Sequence, residues 1–456
     1  SGALPSADSA YRHWLRFRYD STTDWLRRSC AAVKQINPAV RTDSLICVTP
    51  ICSDFWYGPG LAWDRLGYEA GLEYATTDPY IQLHNYLGDS THWYVTETTE
   101  HLAAAGPLRR CGIVLEASRL RPEHREIDPV EIYGSALTAV WHGADELAWW
   151  HYSHVMDTSH TTDRPQASQA CVRGVYGLLE KIDPWLDGLR PQPGVAVLFS
   201  RASCDQWRVY LQAKDAQPPF DTRGITDPRH ASIVQKEALY LLLRTGVPST
   251  LYYLESVGKE ELSPHQVILA PLPLAVDQQQ VQLLTDLAEE GKRIVICGDA
   301  GSLDQDGTPH DQPALQSLLK NPQVAFVPAG ILDRLASNRD HEKRTRKERI
   351  IPSAIDAAAA DQLLAAIAGE QSSAAVRPLM AGRLPAGDDI ELCLATNANG
   401  DRLLLAINGD TEPRSVDISP GWGLEKEVAE GYRLHPDGHW EPWPGAPGPN
   451  LQLGPQ

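Results

Sequence analysis

Four short apolar runs, each cut off by polar or aromatic residues, alternate with helix-length stretches over residues 1–190. The runs sit in DSLICVTP (43–50), LEYATTDPY (72–80), CGIVLEAS (111–118) and ELAWWHYS (146–153). TTDWLRRSCAAVKQIN places Trp25, Leu26, Cys30 and Val33 on one side of a helix, and GLAWDRLGYEAG has a helical pattern. HWYVTETTEHLAAAG and PVEIYGSALTAVWHG read as helices ending at Gly106 and Gly143. Strands joined through helices run parallel, because a tight hairpin would reverse the chain. In parallel sheets chemistry collects at the carboxyl ends of the strands. Those ends here carry Trp56 and Tyr57, then Asp78, Tyr80 and His84, then Glu116, then Trp150, His151 and Tyr152.

A chain of 456 residues exceeds one ordinary core. A second alternating unit follows LRPQPG (189–194), a linker by its prolines and glycine. VAVLFS, HQVILAPLPL and KRIVICGD are its strands. HASIVQKEALYLLLRTG is a helix capped by Gly246, and VDQQQVQLLTDLAEEG one with Asp277 as N-cap. This predicts a doubly wound, flavodoxin-like domain over 191–335. Residues 336–375 hold a charged linker, SNRDHEKRTRKER, and an Ala-rich helix. From 376 to 456 the pattern is a small antiparallel β domain, with Asn399-Gly400 turning a hairpin.

The formal net charge of −18 repels phosphate backbones, which argues against nucleic acid as partner. No apolar run approaches membrane-helix length and no basic-then-apolar leader opens the chain, so a cytoplasmic, non-membrane protein is expected. Eight dispersed cysteines without a CxxC pair read as reduced thiols, not as a zinc site. His151, His154 and His160 are spaced irregularly, and neither a metal nor a cofactor is expected. Cys297 in VICGDAG lacks the flanking glycines of a nucleophile elbow, with Val295 and Asp299 in their places, and reads as a strand thiol. Thirteen tryptophans and 16 tyrosines against five phenylalanines suit the flat faces and polar edges of sugars, and equally a domain interface.

Together these stretches resemble family 42 of the glycoside hydrolases, the β-galactosidases of the large retaining clan. RFRYDSTTDWLRRSCAAVKQINPAVRTDS looks like the segment before barrel strand five, LEYATTDPYIQLHN like strand six, CGIVLEAS like strand seven and GADELAWWHYS like strand eight. GKRIVICGD is similar to the family's trimerisation domain, and the β-rich tail to its small C-terminal domain. The resemblance implies an α/β chain with the C-terminal half of a TIM (β/α)8 barrel, strands five to eight, over residues 1–190. It implies a retaining glycosidase with Glu116 as nucleophile and a carbohydrate substrate. Trp56, Tyr57, Asp78, Tyr80, His84, Trp150, His151 and Tyr152 would line the sugar site, with Tyr80 hydrogen-bonding Glu116. A homo-oligomer, a trimer by resemblance, is expected.

Two departures stand out. Trp150-His151-Tyr152-Ser153 occupies the family's aromatic-Gln-Trp-Arg position, so the substrate wall is altered. The family's acid/base Glu follows strand four, and strands one to four have no counterpart here; Glu69, Glu73 and Glu97 lie in or beside helix-like stretches and do not replace it. A second polypeptide or missing segment is expected to complete the barrel, pairing beside Leu45 and beside Leu147. The alternative is a non-catalytic carbohydrate-binding or scaffold subunit derived from a glycosidase.

Overall fold

The computed structural model describes residues 9–48, 60–81, 91–108, 110–119, 126–150, 165–213, 217–337, 356–369, 390–408, 414–417, 432–434, 440–442 and 450–453. In chain order the first elements are α1 (Ser9–Ile36), β1 (Asp43–Ile46), β2 (Tyr74–Thr77), α2 (Thr91–Ala103), β3 (Arg110–Glu116), α3 (Pro129–Trp141), β4 (Glu146–Trp150) and α4 (Pro165–Leu186). The four strands form one parallel sheet in the order β1-β2-β3-β4. It does not close on itself; β1 and β4 each pair on one side only among the described residues. GLAWDRLGYEAG forms only a 3-10 turn at Trp63–Arg65 instead of a helix. Its glycines explain this: a Cβ on Gly67 would lie 3.1 Å from the Gly106 backbone, and Gly71 sits at φ +70°.

Because side chains alternate along a strand and registered residues share a face, the sheet has two unlike sides. Ile46, Ala75, Thr77, Ile113 and Leu115 are buried on the side where α2 and α3 pack. Leu45, Thr76, Gly112, Val114, Ala148, Glu116 and Trp150 occupy the other. There Leu45 is 64% exposed and Trp150 44%. Gly112 is required on that side, since a Cβ there would stand 2.8 Å from Thr76 Oγ1. Parallel sheets are ordinarily covered on both faces, so a bare face is the unusual feature of this unit.

Helix α1 is apolar on two sides. Leu15, Tyr19, Leu26 and Cys30 are buried against this chain. Trp25 and Val33, expected on that stripe, point outward with Trp14, Phe17 and Ile36. Adjacent positions on a helix differ by about 100°, so Trp25 and Leu26 belong to neighbouring faces.

The linker segment supplies β5 (Arg190–Pro191). There follow β6 (Val195–Phe199), α5 (Arg201–Gln212), α6 (His230–Arg244), β7 (Ser249–Tyr253), β8 (Val267–Pro271), α7 (Gln278–Glu289), β9 (Arg293–Gly298), β10 (Val324–Pro328), α8 (Ala329–Ser337) and α9 (Ala357–Ala368). A five-stranded parallel sheet results, ordered β10-β9-β8-β6-β7. Asp277 caps α7, accepting from Gln280 N at 2.9 Å. The Ala-rich helix α9 lies on β9 and β10 with Leu363, Leu364 and Ile367 buried; most of the charge run before it lies outside the described residues. β11 (Ile390–Thr396) and β12 (Arg402–Asn408) form the hairpin, with Gly400 at φ +85°, and β5 adds to β11, so the linker is part of a sheet. Short antiparallel pairs join β13 (Arg414–Asp417) to β16 (Asn450–Leu453) and β14 (Tyr432–Leu434) to β15 (Trp440–Pro442).

Buried charge ties these units together. Lys236 of α6 pairs with Glu97 of α2 at 2.5 Å, and Tyr240 donates to the same carboxylate at 2.6 Å. His142, at the end of α3, donates to Glu100 (2.5 Å) and to Glu391 of β11 (2.8 Å). Burial opposes its charge, but Cys393, Glu100 and Glu391 outweigh that and hold its pKa well above the ordinary histidine value. Arg201 grips Asp64 through two hydrogen bonds, 2.7 and 3.1 Å, and reaches Asp205 at 3.1 Å. Tyr19 of α1 donates to Asp205 at 2.7 Å, and Glu255 accepts from Ser200 Oγ and Ala202 N at 2.9 and 2.8 Å.

Burial raises the carboxyls of Asp205 to about 6 and Glu255 to about 7. Folded, both hold protons more tightly than unfolded. Their stabilising contribution is complete below the ordinary carboxylate range and is lost as pH rises through about 6 and about 7. Glu255→Gln keeps the acceptor oxygen without the titration. Its melting temperature should fall less than that of the wild type between pH 6 and pH 8; equal slopes in a thermal scan series would refute the assignment.

Candidate active site

Three adjacent strands deliver side chains to one end of the bare face. Asp78 follows β2, Glu116 is the last residue of β3 and Trp150 the last of β4. Glu116 and Trp150 are register partners, which puts carboxylate and indole side by side. Glu116 is only 3% exposed although its strand face is open, and Ala117 and Ser118 after it are fully buried. Arg119 and Glu126 pair at 3.3 Å in the loop that follows β3.

Tyr80 links the group. Its ring stands 5.9 Å from that of Trp150, and its hydroxyl donates to Asp78. The expectation of a Tyr80 bond to Glu116 thus gives way to a bond to Asp78, which the turn Tyr80 N→Asp78 O (2.7 Å) places within reach. The phenol also feels the charge of Glu116: burial first, then Asp78 and Glu116, raise its pKa. Burial raises the Asp78 carboxyl as well, and the Tyr80 hydroxyl counteracts this.

Asp78, Tyr80, Glu116 and Trp150 are therefore together at the expected end of the sheet. Trp56, Tyr57, His84, His151 and Tyr152 lie outside the described residues. The three glutamates set aside from sequence are engaged elsewhere. Glu69 pairs with Arg65 at 2.5 Å, Glu73 precedes β2 at the opposite end and pairs with Lys34, and Glu97 is held by Lys236. Cys297 is buried at the end of β9, and burial raises its thiol pKa. Among the described residues no group of His, Cys, Asp and Glu is placed to hold a metal ion. The Arg119–Glu126 pair was not anticipated; opposite charges in a polar loop carry no distinctive sequence pattern.

No family model matches the chain. A β-galactosidase of Alicyclobacillus acidocaldarius is 22% identical over 300 residues, 64% of this chain and 40% of that protein. The crystal structure of the cold-adapted β-galactosidase of Rahnella sp. R3 superposes with a TM-score of 0.64 at 13% identity, covering 97% of this chain and 66% of that one. An exo-carrageenase of family GH42 from Bacteroides ovatus superposes at 0.59 with 11% identity, covering 99% and 56%. The chain has the fold of the family 42 glycoside hydrolases. It spans less than two thirds of the length of these relatives. One of these structures is named a β-galactosidase and the other an exo-carrageenase, so the fold leaves the sugar open. No helix among the described residues is long and apolar enough to cross a membrane.

Tyr80→Phe keeps the ring against Trp150 but removes the hydroxyl. The Asp78 carboxyl should then titrate at higher pH, at a stability cost of about 1 kcal/mol. A carbon-13 carboxylate titration reads this directly, and an unmoved Asp78 would show that the hydroxyl does not govern it.

Proposed function

We propose that the chain is part of a retaining glycoside hydrolase of β-galactosidase type, with Glu116 as nucleophile. The supporting observation is a nearly buried carboxylate at the carboxyl end of an inner parallel strand, flanked by a phenol and an indole on a bare face. The Glu116 carboxylate attacks the anomeric carbon while the bond to the leaving oxygen breaks. An acid protonates that oxygen, and the glycosyl ester is then hydrolysed by water that the same group, now a base, deprotonates. Trp150 and Tyr80 offer stacking surface to the sugar, and Asp78 accepts from its hydroxyls. Trp56, Tyr57, His84, His151 and Tyr152, outside the described residues, are assigned to the same sugar site on the family resemblance alone. No metal or cofactor enters this scheme.

Retention requires two carboxyl groups about 5–5.5 Å apart. With Glu69, Glu73 and Glu97 engaged elsewhere, the acid/base is assigned to a segment outside this sequence. Residues 1–190 are then strands five to eight of a (β/α)8 barrel, 191–335 a doubly wound domain that mediates self-association, as a trimer, and 376–456 the small β domain. A cytoplasmic setting fits the free thiols among the described cysteines. The engaged positions of those three glutamates also favour a second reading, a non-catalytic carbohydrate-binding or scaffold subunit.

A 2,4-dinitrophenyl 2-deoxy-2-fluoro-β-galactoside separates the two. Its leaving group departs without an acid, so an ester forms on the nucleophile even where the acid/base is lacking. The purified protein should gain one sugar mass on the peptide holding Glu116, and Glu116→Gln should gain none and lose turnover to below about 1%. Labelling of the Glu116→Gln variant, or its turnover above a few per cent, would be incompatible with Glu116 as nucleophile; an unlabelled wild type favours the non-catalytic reading.

A further inference from the structure

The five-stranded sheet places β6 between β7 and β8. The chain leaves β6, forms β7 on one side and crosses to β8 on the other. In doubly wound sheets, small ligands bind beyond the carboxyl ends of the strands at such a reversal. Here α5 begins directly beyond β6, and the segment after β8 is tied to it by Ala275 N donating to Ser203 Oγ at 2.9 Å. Leu272, Leu274 and Ala275 of that segment are buried. The polar part of the crevice is filled from 137 positions earlier in the chain. Asp64, in the 3-10 turn Trp63–Arg65, presents both carboxylate oxygens to Arg201, the first residue of α5. Nε donates to Oδ1 at 2.7 Å and Nη2 to Oδ2 at 3.1 Å. Nη1 donates to Asp205 at 3.1 Å, and the guanidinium carbon lies 4.4 Å over the Tyr19 ring of α1. Asp64 itself is 1% exposed. Burial opposes the Arg201 charge, but Asp64 outweighs it, and the guanidinium holds its proton more tightly than an ordinary arginine.

We infer that this crevice is a carboxylate-binding site of the doubly wound unit and that Asp64 is its built-in ligand, through which the unit holds the four-stranded part of the chain. The inference does not depend on the glycosidase reading. Three observations define the class of ligand. Two parallel hydrogen bonds from one guanidinium edge are the geometry by which arginine recognises a planar carboxylate. The first amides of α5, which would cradle a phosphate, are already engaged: Ser203 N donates to Ser200 Oγ at 3.1 Å and Ala202 N to Glu255 Oε1 at 2.8 Å. Asp205 and Glu255 also make the surroundings acidic, which repels a doubly charged phosphate more than a singly charged carboxylate. The ligand arrives on a rigid support. Trp63 and Leu66 beside it are buried, and Tyr19 donates to Asp205 at 2.7 Å, so α1 and the 3-10 turn reach the site together. Asp64 lies between β1 and β2 in the chain, so its capture restrains the segment that leads to Asp78.

Asp64→Ala removes the ligand and leaves the receptor. Hydrogen exchange at the amides of residues 63–66 and of α1 around Tyr19 should then be about a hundredfold faster than in the wild type. Sodium formate should restore slow exchange along a saturating curve, whereas chloride or phosphate at equal ionic strength should not. Adding Arg201→Lys keeps the charge but loses the fork, and should move the formate midpoint upward about tenfold. Asp64→Asn fills the same space without the charge; it should exchange faster than the wild type and ignore formate. Asp64→Ala exchanging at the wild-type rate would overturn the inference, as would rescue by chloride or phosphate equal to that by formate. An unchanged formate midpoint with Arg201→Lys, or no rescue at any formate concentration, would do the same. Should Asp64→Ala not fold, Asp64→Asn decides: faster exchange confined to the 3-10 turn and α1 is the expected result, and wild-type rates there would overturn the assignment.

Discussion

A helix with no side facing solvent joins the parts of this molecule. All fifteen residues of α6 are buried, including Gln235, Lys236 and Arg244. Each of these polar groups therefore needs a partner inside the protein, and each has one. Gln235 accepts from Ser200 N at 2.6 Å, Lys236 meets Glu97, and Arg244 lies 5.3 Å above the Trp93 ring. Leaving one member of a buried ion pair unpaired costs about 3–5 kcal/mol, so these contacts select one orientation of α2 on α6 more sharply than apolar packing alone. Helix α2 in turn packs on β2 and β3. The placement of Asp78 and Glu116 at the sheet end thus traces back to charges buried in the next layer.

The parallel sheet and its working end were legible in the sequence because both follow from period and order. Runs ending in Asp78, Glu116 and Trp150, separated by helices, come out at the same end once the strands run parallel. What escaped is what depends on distant partners. Strand β7, STLYY, is strand-like in composition but lacks the unbroken apolar run that marks β6, and it is settled by pairing with β6. β5 is two residues of an apparent linker and is a strand only because β11 lies beside it. The apolar pattern of α1 was plain, but periodicity does not say which of two adjacent stripes meets its own chain. Tyr80 was anticipated as a donor and its acceptor was not, since two carboxylates from different strands converge there only after folding.

Among the described residues one face of the four-stranded sheet lacks a covering layer. An open four-stranded parallel sheet leaves two edges and one face in water, whereas sheets of this kind are stable when both faces are covered. The side facing α2 and α3 meets that rule with Ile113 and Leu115, each essentially fully buried. The other side holds Leu45, Val114 and Ala148 between a polar rim, where Arg110 meets Glu146 at 2.9 Å, and the carboxylates at the top. The face is therefore layered, polar below, apolar in the middle and acidic above.

Covering the face also changes the electrostatics of the site. Asp78 and Glu116 both act on the Tyr80 phenol, so the two carboxyls stand in one neighbourhood. Water screens them only in part, since Glu116 is 3% exposed. Under a covering protein the effective dielectric falls, and like charges then push each other's pKa upward. The Tyr80 hydroxyl is directed at Asp78 and opposes that upward push there. A covering segment that supplied only apolar contacts would therefore drive the group it encloses towards neutrality. Any group that covers this face has to offset that lost hydration with hydrogen-bond donors or a cation, so the acidic end of the sheet constrains the chemistry of what binds there.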